Sequence, residues 1–271
     1  MKTSSSRAFI ALIITAFISA SSGAAIARKG PVLPFKPGEH LVYDISWLGI
    51  IAGEAGLHVN RQFIHKGSDV FELSITSRTT GWLRDFYAVN DRTVSLFDIN
   101  NLYSHRAVIR LREGSHRKDK IIEFDQKRLT VSYKVNDKAA EEFTITPNCQ
   151  DPLSALFVLR TLKGQINVGQ SLSIPLFDSK KNYDLVVKVI KKERLKLPQG
   201  MVDTIMVIPK LKTDGVFLRK GSLYIWLTDD EFLTPVKIRS KIAVGSFLAS
   251  LRTHRGVKIN FIPYEKPLKK N

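Results

Sequence analysis

Apolar and polar residues alternate with a period of two through most of this chain, the pattern of half-buried antiparallel strands. Leu41, Tyr43, Ile45 and Trp47 point one way, and Val42, Asp44 and Ser46 the other. Ala55, Leu57 and Val59 carry the inward face into a second strand, and Phe71, Leu73 and Ile75 form a third. Gly49, Gly53 and Gly56 interrupt the second strand, which predicts bulges or close backbone approach. Further strands are expected at residues 107–111, around Ile122 and Phe124, and at 129–135. They resume at 172–177, 183–190, 204–208, 223–227, 236–244, 247–251 and 257–261. Turn residues such as Glu113-Gly114-Ser115 and Asn136-Asp137 separate them. Short strands at regular spacing predict a meander, and a large twisted sheet tends to close on itself.

One segment breaks the alternation. Asp151 stands as an N-cap before Pro152, and Leu153, Leu156, Phe157 and Leu159 recur at helical spacing, with Gly164 as the expected stop. The expected fold is therefore all-β: a strongly curved antiparallel sheet forming a barrel-like or roll-like domain, with one α-helix packed against it. Residues 39–262 are expected to make a single domain.

The two ends of the chain are of another kind. Lys2 and Arg7 precede an apolar run over 8–18, and Ala25-Ile26-Ala27 is an A-x-A cleavage site. Residues 1–27 thus predict a cleaved signal peptide and an exported, periplasmic product. Residues 28–38, with Pro31, Pro34 and Pro37, predict an extended lead-in, and 263–271 a basic tail. No later segment of the sequence reaches the ~20 apolar residues of a membrane helix. Cys149 is the one cysteine, so no internal disulfide is available.

Charge changes the picture next. The formal net charge is +17, and losing Lys2 and Arg7 with the leader leaves +15. For an exported protein such a balance points to anionic lipid headgroups or cell-wall polymer and not to nucleic acid. Two candidate anion-contacting groups stand out, Arg110 with Arg112, and Lys237, Arg239 and Lys241 along the polar face of the stretch 223–244. Lys188, Lys191 and Lys192 add to that balance. Val236, Ile238, Ile242 and Val244 are expected on the opposite face. Outer-face lysines also discourage sheet-to-sheet aggregation, and both explanations stay open here.

Catalytic patterns are missing from the sequence. Asp229-Asp230-Glu231 reads as a solvated hairpin turn more readily than as paired carboxylates. The histidines at 40, 58, 65, 105, 116 and 254 lack metal-site spacing. Cys149 has neither a resolving cysteine nor a nearby histidine. Neither a nucleophile elbow nor a phosphate-binding loop occurs. No enzyme activity, cofactor or metal is expected. Three aromatics in Trp82-Leu83-Arg84-Asp85-Phe86-Tyr87 predict either the lip of an apolar pocket, a membrane-touching tip, or a connector packed on the core.

Several blocks resemble one known family. PGEHLVYDISWLGIIAGEAGLHV, DPLSALFVLRTL, VGQSLSIPLFDSKKNYDLVVKVIKKERLKLPQGMVDTIMVIP and GSLYIWLTDDEFLTPVKI are similar, in that order, to the exported bacterial family known as domain of unknown function 3108. The resemblance covers the chain from Gly38 to Leu251 and implies a periplasmic, β-rich protein, with no activity or catalytic residues to carry over. A half-closed barrel like that of periplasmic lipoprotein carriers is an architectural analogy. The expected function is non-enzymatic binding of an apolar or amphipathic envelope ligand, a lipid or acyl chain. Trp47, Leu57, Phe71, Trp82, Phe86, Phe157 and Ile225 are the candidate ligand-binding residues. The alternative is a structural or adaptor protein that docks through its basic face on anionic cell-wall polymer or an envelope complex.

Overall fold

Among the described residues, fourteen strands follow one another side by side in a single antiparallel sheet, with a two-residue fifteenth strand paired alongside. The computed structural model describes residues 31–81, 83–213, 216–217, 222–241 and 245–264. The expected leader over 1–27, the first residues of the lead-in, Trp82, Ile242, Val244 and the end of the basic tail lie outside the described residues. All described residues belong to one compact unit that begins at Pro31.

In chain order the strands are β1 (His40–Trp47), β2 (Ile50–His65), β3 (Ser68–Thr79), β4 (Asn90–Asp98), β5 (Ser104–Glu113), β6 (His116–Asp125), β7 (Thr130–Val135) and β8 (Glu141–Thr144). After the helical segment come β9 (Ser171–Asp178), β10 (Lys181–Leu197), β11 (Gly200–Thr213), β12 (Val216–Phe217), β13 (Ser222–Thr228), β14 (Pro235–Lys241) and β15 (Ser246–Arg255). Spatially, β8 to β1 run in reverse chain order and then meet β15, which leads back through β14, β13, β11 and β10 to β9. Two local meanders are thus sewn together by one long-range pairing, β1 against β15, where Tyr43 faces Leu251.

The expected strong curvature with closure is corrected. The order is linear, with β8 and β9 as its ends. No ladder joins those ends among the described residues, because another segment occupies the outer edge of β9. Gln150 makes a parallel bridge to Leu176: its N–H donates to Pro175 O at 2.9 Å, and its carbonyl accepts from Phe177 N–H at 2.9 Å. Side chains make the remaining link. Phe177 packs at 5.7–6.4 Å from the rings of Phe143, Tyr133 and Phe124, and Asn182 donates to Thr144 O at 2.8 Å. The edge of β9 is thereby occupied around Leu176, which suppresses pairing with a second molecule there.

Helix α2 (Pro152–Arg160) forms where the sequence places it. Asp151 Oδ1 accepts from Leu153 N–H at 2.8 Å and Ser154 N–H at 3.2 Å, and Ser154 Oγ completes a capping box with Asp151 N–H. Pro152 at the first turn loses no bond, since its N–H would have been an orphan. The predicted stop at Gly164 is corrected. The helix ends at Arg160, and Gly164 sits in a 3-10 turn over Lys163–Gln165. Bonds from Thr161 N–H to Val158 O and from Leu162 N–H to Leu159 O tighten the last turn before Gly164 is reached. A second, four-residue helix, α1 (Leu83–Phe86), occupies the β3–β4 connection, and no strand forms over 257–261.

The faces of α2 feed two apolar clusters. Leu153 and Phe157 join Leu41, Tyr43, Leu57, Phe71, Leu73 and Phe97, while Ala155 and Leu159 join Ile174, Val187, Ile205, Val207, Ile225 and Leu227. The lead-in is not a loose approach. Its Phe35 is buried, with its ring 4.8 Å from Phe157, 6.0 Å from Phe97 and 6.2 Å from Phe71, each edge to face. Arg160, fully buried, donates to Glu39 Oε1 at 2.6 Å and Oε2 at 3.0 Å beneath those rings.

Candidate functional site

Alternation fails at one place in β14, and that failure arranges the basic face. Trp226 pairs with Lys237 and Leu227 with Pro235, so Val236 is an extra residue in a β-bulge. Val236 consequently packs in the cluster of Leu41 and Phe71, whereas Ile238 packs in that of Ile225, and the expected common face of Val236 and Ile238 is corrected. Beyond the bulge Arg239 stands directly opposite Tyr224. The Tyr224 and Trp226 rings stack at 6.4 Å, and the cations lie over them: Arg239 at 4.8 and 5.7 Å, Lys237 at 5.5 Å from Trp226, and Lys241 at 5.8 Å from Tyr224. Each such contact is worth roughly 0.5–2 kcal/mol. Trp226 Nε1–H also donates to Glu193 at 2.7 Å, and this bond holds that carboxyl below the usual range. The basic ladder therefore has a structural partner, the aromatic pair beneath it.

Arg110 and Arg112 part company. Arg112 forms a forked pair with Asp119 at 2.6 and 3.0 Å. Arg110 is exposed and faces Arg92 of the neighbouring strand. The acidic turn is structural, as its position between strands implies. Asp229 accepts from Lys163 at 2.5 Å and pairs with Lys192 at 2.7 Å, while Asp230 Oδ1 accepts from Thr228 Oγ1 and Phe232 N–H.

The candidate ligand-binding residues do not converge. Leu57, Phe71 and Phe157 are core, with Phe35 filling the space in front of the last two. Ile225 belongs to the other cluster. Trp47 stacks on Phe247 at 6.4 Å, and Phe86 is 80% exposed. Trp47 and Phe86 lie toward one end of the sheet, and that end contains residues the sequence did not single out.

At that end Leu48 and Gly49 form the two-residue turn between β1 and β2, both with positive φ, at 50° and 83°. Such turns normally take Asn-Gly, because a left-handed leucine costs roughly 1–2 kcal/mol. Four described leucines adopt positive φ; Leu233 is buried, Leu102 and Leu129 are partly covered, and Leu48 alone is exposed, at 62%. Ile50 and Ile51 follow, at 57% and 59%. Leu48 rests on the next hairpin, where a Cβ at Gly245 would come within 2.7 Å of its Cδ2. On the other side Thr80 N–H donates to Ala52 O at 3.1 Å and ties in the α1 connection with Phe86 and Tyr87. The end is thus an exposed apolar surface of Leu48, Ile50, Ile51, Phe86, Tyr87 and Phe247, with Arg84 and Lys241 exposed near it. An LGII tip after an alternating strand was the available sequence signal.

Titratable groups elsewhere are tied into the scaffold. His40 and His58 share a hydrogen bond at 2.9 Å, so His58 is partnered by histidine and not by Glu54, which pairs with Arg78 and Arg252. Burial, then His40 and Arg92, push the His58 pKa down. Cys149 is fully buried, and burial pushes its thiol up to about 12, as expected of an inert residue. No group of three potential metal ligands occurs among the described residues, and none of their helices is long and apolar enough to cross a membrane.

Comparison with known proteins supports the architecture. No curated protein matches the chain. The β-barrel-like protein of domain of unknown function DUF1849 from Brucella abortus aligns with a TM-score of 0.58 at 12% identity, over 83% of this chain and 98% of that one. A predicted exported protein with a YmcC-like fold from Bacteroides fragilis (TM-score 0.39, 9% identity, 82% of this chain and 97% of that one) is more distant. So is a predicted lipoprotein from Parabacteroides distasonis (0.37, 12% identity, 82% and 97%). Residues 42–252 match the family of proteins of unknown function DUF3108, and with most of its length covered the chain belongs to that family.

Proposed function

We propose that this is an exported, periplasmic, non-catalytic protein that binds amphipathic envelope lipid by laying its apolar hairpin end on an anionic lipid surface. The observation that carries the reading is Leu48, a leucine kept exposed in a conformation that favours glycine or asparagine. Its contact with Gly245 covers only part of the side chain, whereas a lipid surface would bury the rest. Burying Leu48, Ile50 and Ile51 in the acyl boundary would yield roughly 1–2 kcal/mol each. Phe86 and Tyr87 suit the headgroup level, and Arg84 and Lys241 would meet anionic phosphates. The predicted leader and the exported and lipoprotein character of the more distant likenesses are consistent with an envelope setting.

Docking on cell-wall polymer through Lys237, Arg239 and Lys241 is the weaker reading, because aromatic rings already engage those cations. Co-sedimentation with vesicles of phosphatidylethanolamine and phosphatidylglycerol separates the two. The triple variant Leu48→Asn/Ile50→Thr/Ile51→Thr should stay in the supernatant while the parent pellets. Equal pelleting of both would refute docking through this end.

A further inference from the structure

A depression of about 370 Å³ opens on the sheet face turned away from α2, lined by Glu72 of β3, Arg92 and Val94 of β4, and Val108 and Arg110 of β5. Arg92 is opposite Arg110 and Val94 opposite Val108 in the ladder, so two guanidinium groups stand over a two-valine floor. Like charges directly opposed across strands destabilise a sheet. Neither arginine has an ion pair or side-chain hydrogen bond among the described residues. The neighbouring acids give their hydrogen bonds to other groups: Glu72 accepts from Arg61 at 2.9 and 3.1 Å, Asp119, directly opposite Arg110 on β6, commits both oxygens to Arg112, and Asp91 accepts from Arg112 N–H at 2.7 Å. Protection of a sheet edge does not explain the pair, since β4 and β5 are interior strands.

The geometry points to a binding site for a phosphomonoester, with its dianion between Arg92 and Arg110 and its organic stem on Val94 and Val108. A phosphomonoester carries about −1.5 to −2 charges, which two guanidinium groups neutralise, and their forked N–H groups suit tetrahedral oxygens. The volume falls at the low end of the roughly 300–1,000 Å³ typical of small-molecule pockets. Glu72, neutralised by Arg61, sets the wall opposite the anion. The same chemistry is offered by a soluble phosphate ester and by the headgroup of a phosphatidic-acid-like lipid. The site stands independently of the apolar end.

The test is calorimetric titration of the mature chain with inorganic phosphate and with glycerol 3-phosphate at constant ionic strength. Flotation on phosphatidylcholine vesicles with and without phosphatidic acid runs beside it. Arg92→Gln and Arg110→Gln should each weaken binding roughly ten- to hundredfold, and Lys210→Gln, at an exposed lysine of β11, should not affect binding of the soluble esters. Relief of like-charge repulsion should leave the melting temperatures of both arginine variants unchanged or raised without phosphate, so misfolding is separable from lost binding. Arginine-dependent binding of the soluble esters alone assigns a free ligand, and arginine-dependent flotation alone assigns the headgroup. Leu48→Asn should leave the calorimetric signal intact, which separates failure of membrane docking from failure of this site. Binding that ignores both arginines, or none to any probe, overturns the proposal.

Discussion

Arg160, the last residue of its helix, reaches 121 positions back to Glu39 and forms a double hydrogen bond with it, neither side chain being more than 1% exposed. Phe35 and Phe157 flank the guanidinium at 5.1 and 5.3 Å, its Nε donates to Phe232 O at 3.2 Å, and Tyr43, nearby, donates to Pro235 O at 2.7 Å. The pair thereby ties lead-in, helix and the β13–β14 connection to one point. Arg160→Met alone leaves Glu39 buried and unpaired and should cost about 3–5 kcal/mol in urea denaturation. Adding Glu39→Met should recover much of that loss, since the charge left behind, more than the missing bond, is what destabilises.

Leu48→Asn should raise the unfolding free energy by roughly 1 kcal/mol, because asparagine tolerates the left-handed turn. The same change should weaken vesicle binding. A variant that is both more stable and less able to bind would show that the tip conformation is kept at the expense of stability.

Acid should expose the contribution of Asp98. Burial alone would raise its pKa, but hydrogen bonds from His105 and from the Asn101 and Asn100 N–H groups dominate and hold it at about 2. A carboxyl depressed in the folded state stabilises above its unfolded pKa of about 4 and loses that contribution as pH falls toward 2. Asp98→Asn should therefore be less stable than the parent by on the order of 2 kcal/mol at pH 6, with the gap closing between pH 4 and pH 2. Chemical denaturation across that range measures it.

Cys149 should resist alkylation in the native protein at pH 8, since its thiol is buried and its pKa stands near 12. In denaturant it should react at the rate of an ordinary thiol. Rapid native labelling followed by mass spectrometry would contradict this placement.

Much of this fold was legible because its signals are local. Asp151-Pro152 announces a helix start within two residues, and alternation in β1 reports Leu41 and Tyr43 as the buried side chains. The β14 bulge was not legible, because one extra residue leaves the composition of a strand unchanged yet reverses its faces. Closure was misjudged because it depends on what occupies the β9 edge, and Gln150 carries no local mark of that role. Arg110 was visible as a charge, but its partner Arg92 emerges only from the register of β4 against β5. The apolar tip was missed for a different reason: a leucine in an alternating strand reads as core until its turn is known.

The pairing of β1 with β15 has a kinetic meaning. Apart from that seam, ladder neighbours along the sheet are close neighbours in the chain, so either meander can form through short loops alone. The seam must close a loop of roughly two hundred residues before its bonds repay the lost entropy, which makes it the expected slow step of folding. Opening the chain between the helical segment and β9, and joining the present ends, would turn the whole sheet into one continuous up-and-down path. Such a permutant should refold faster than the natural order while keeping the same ladder.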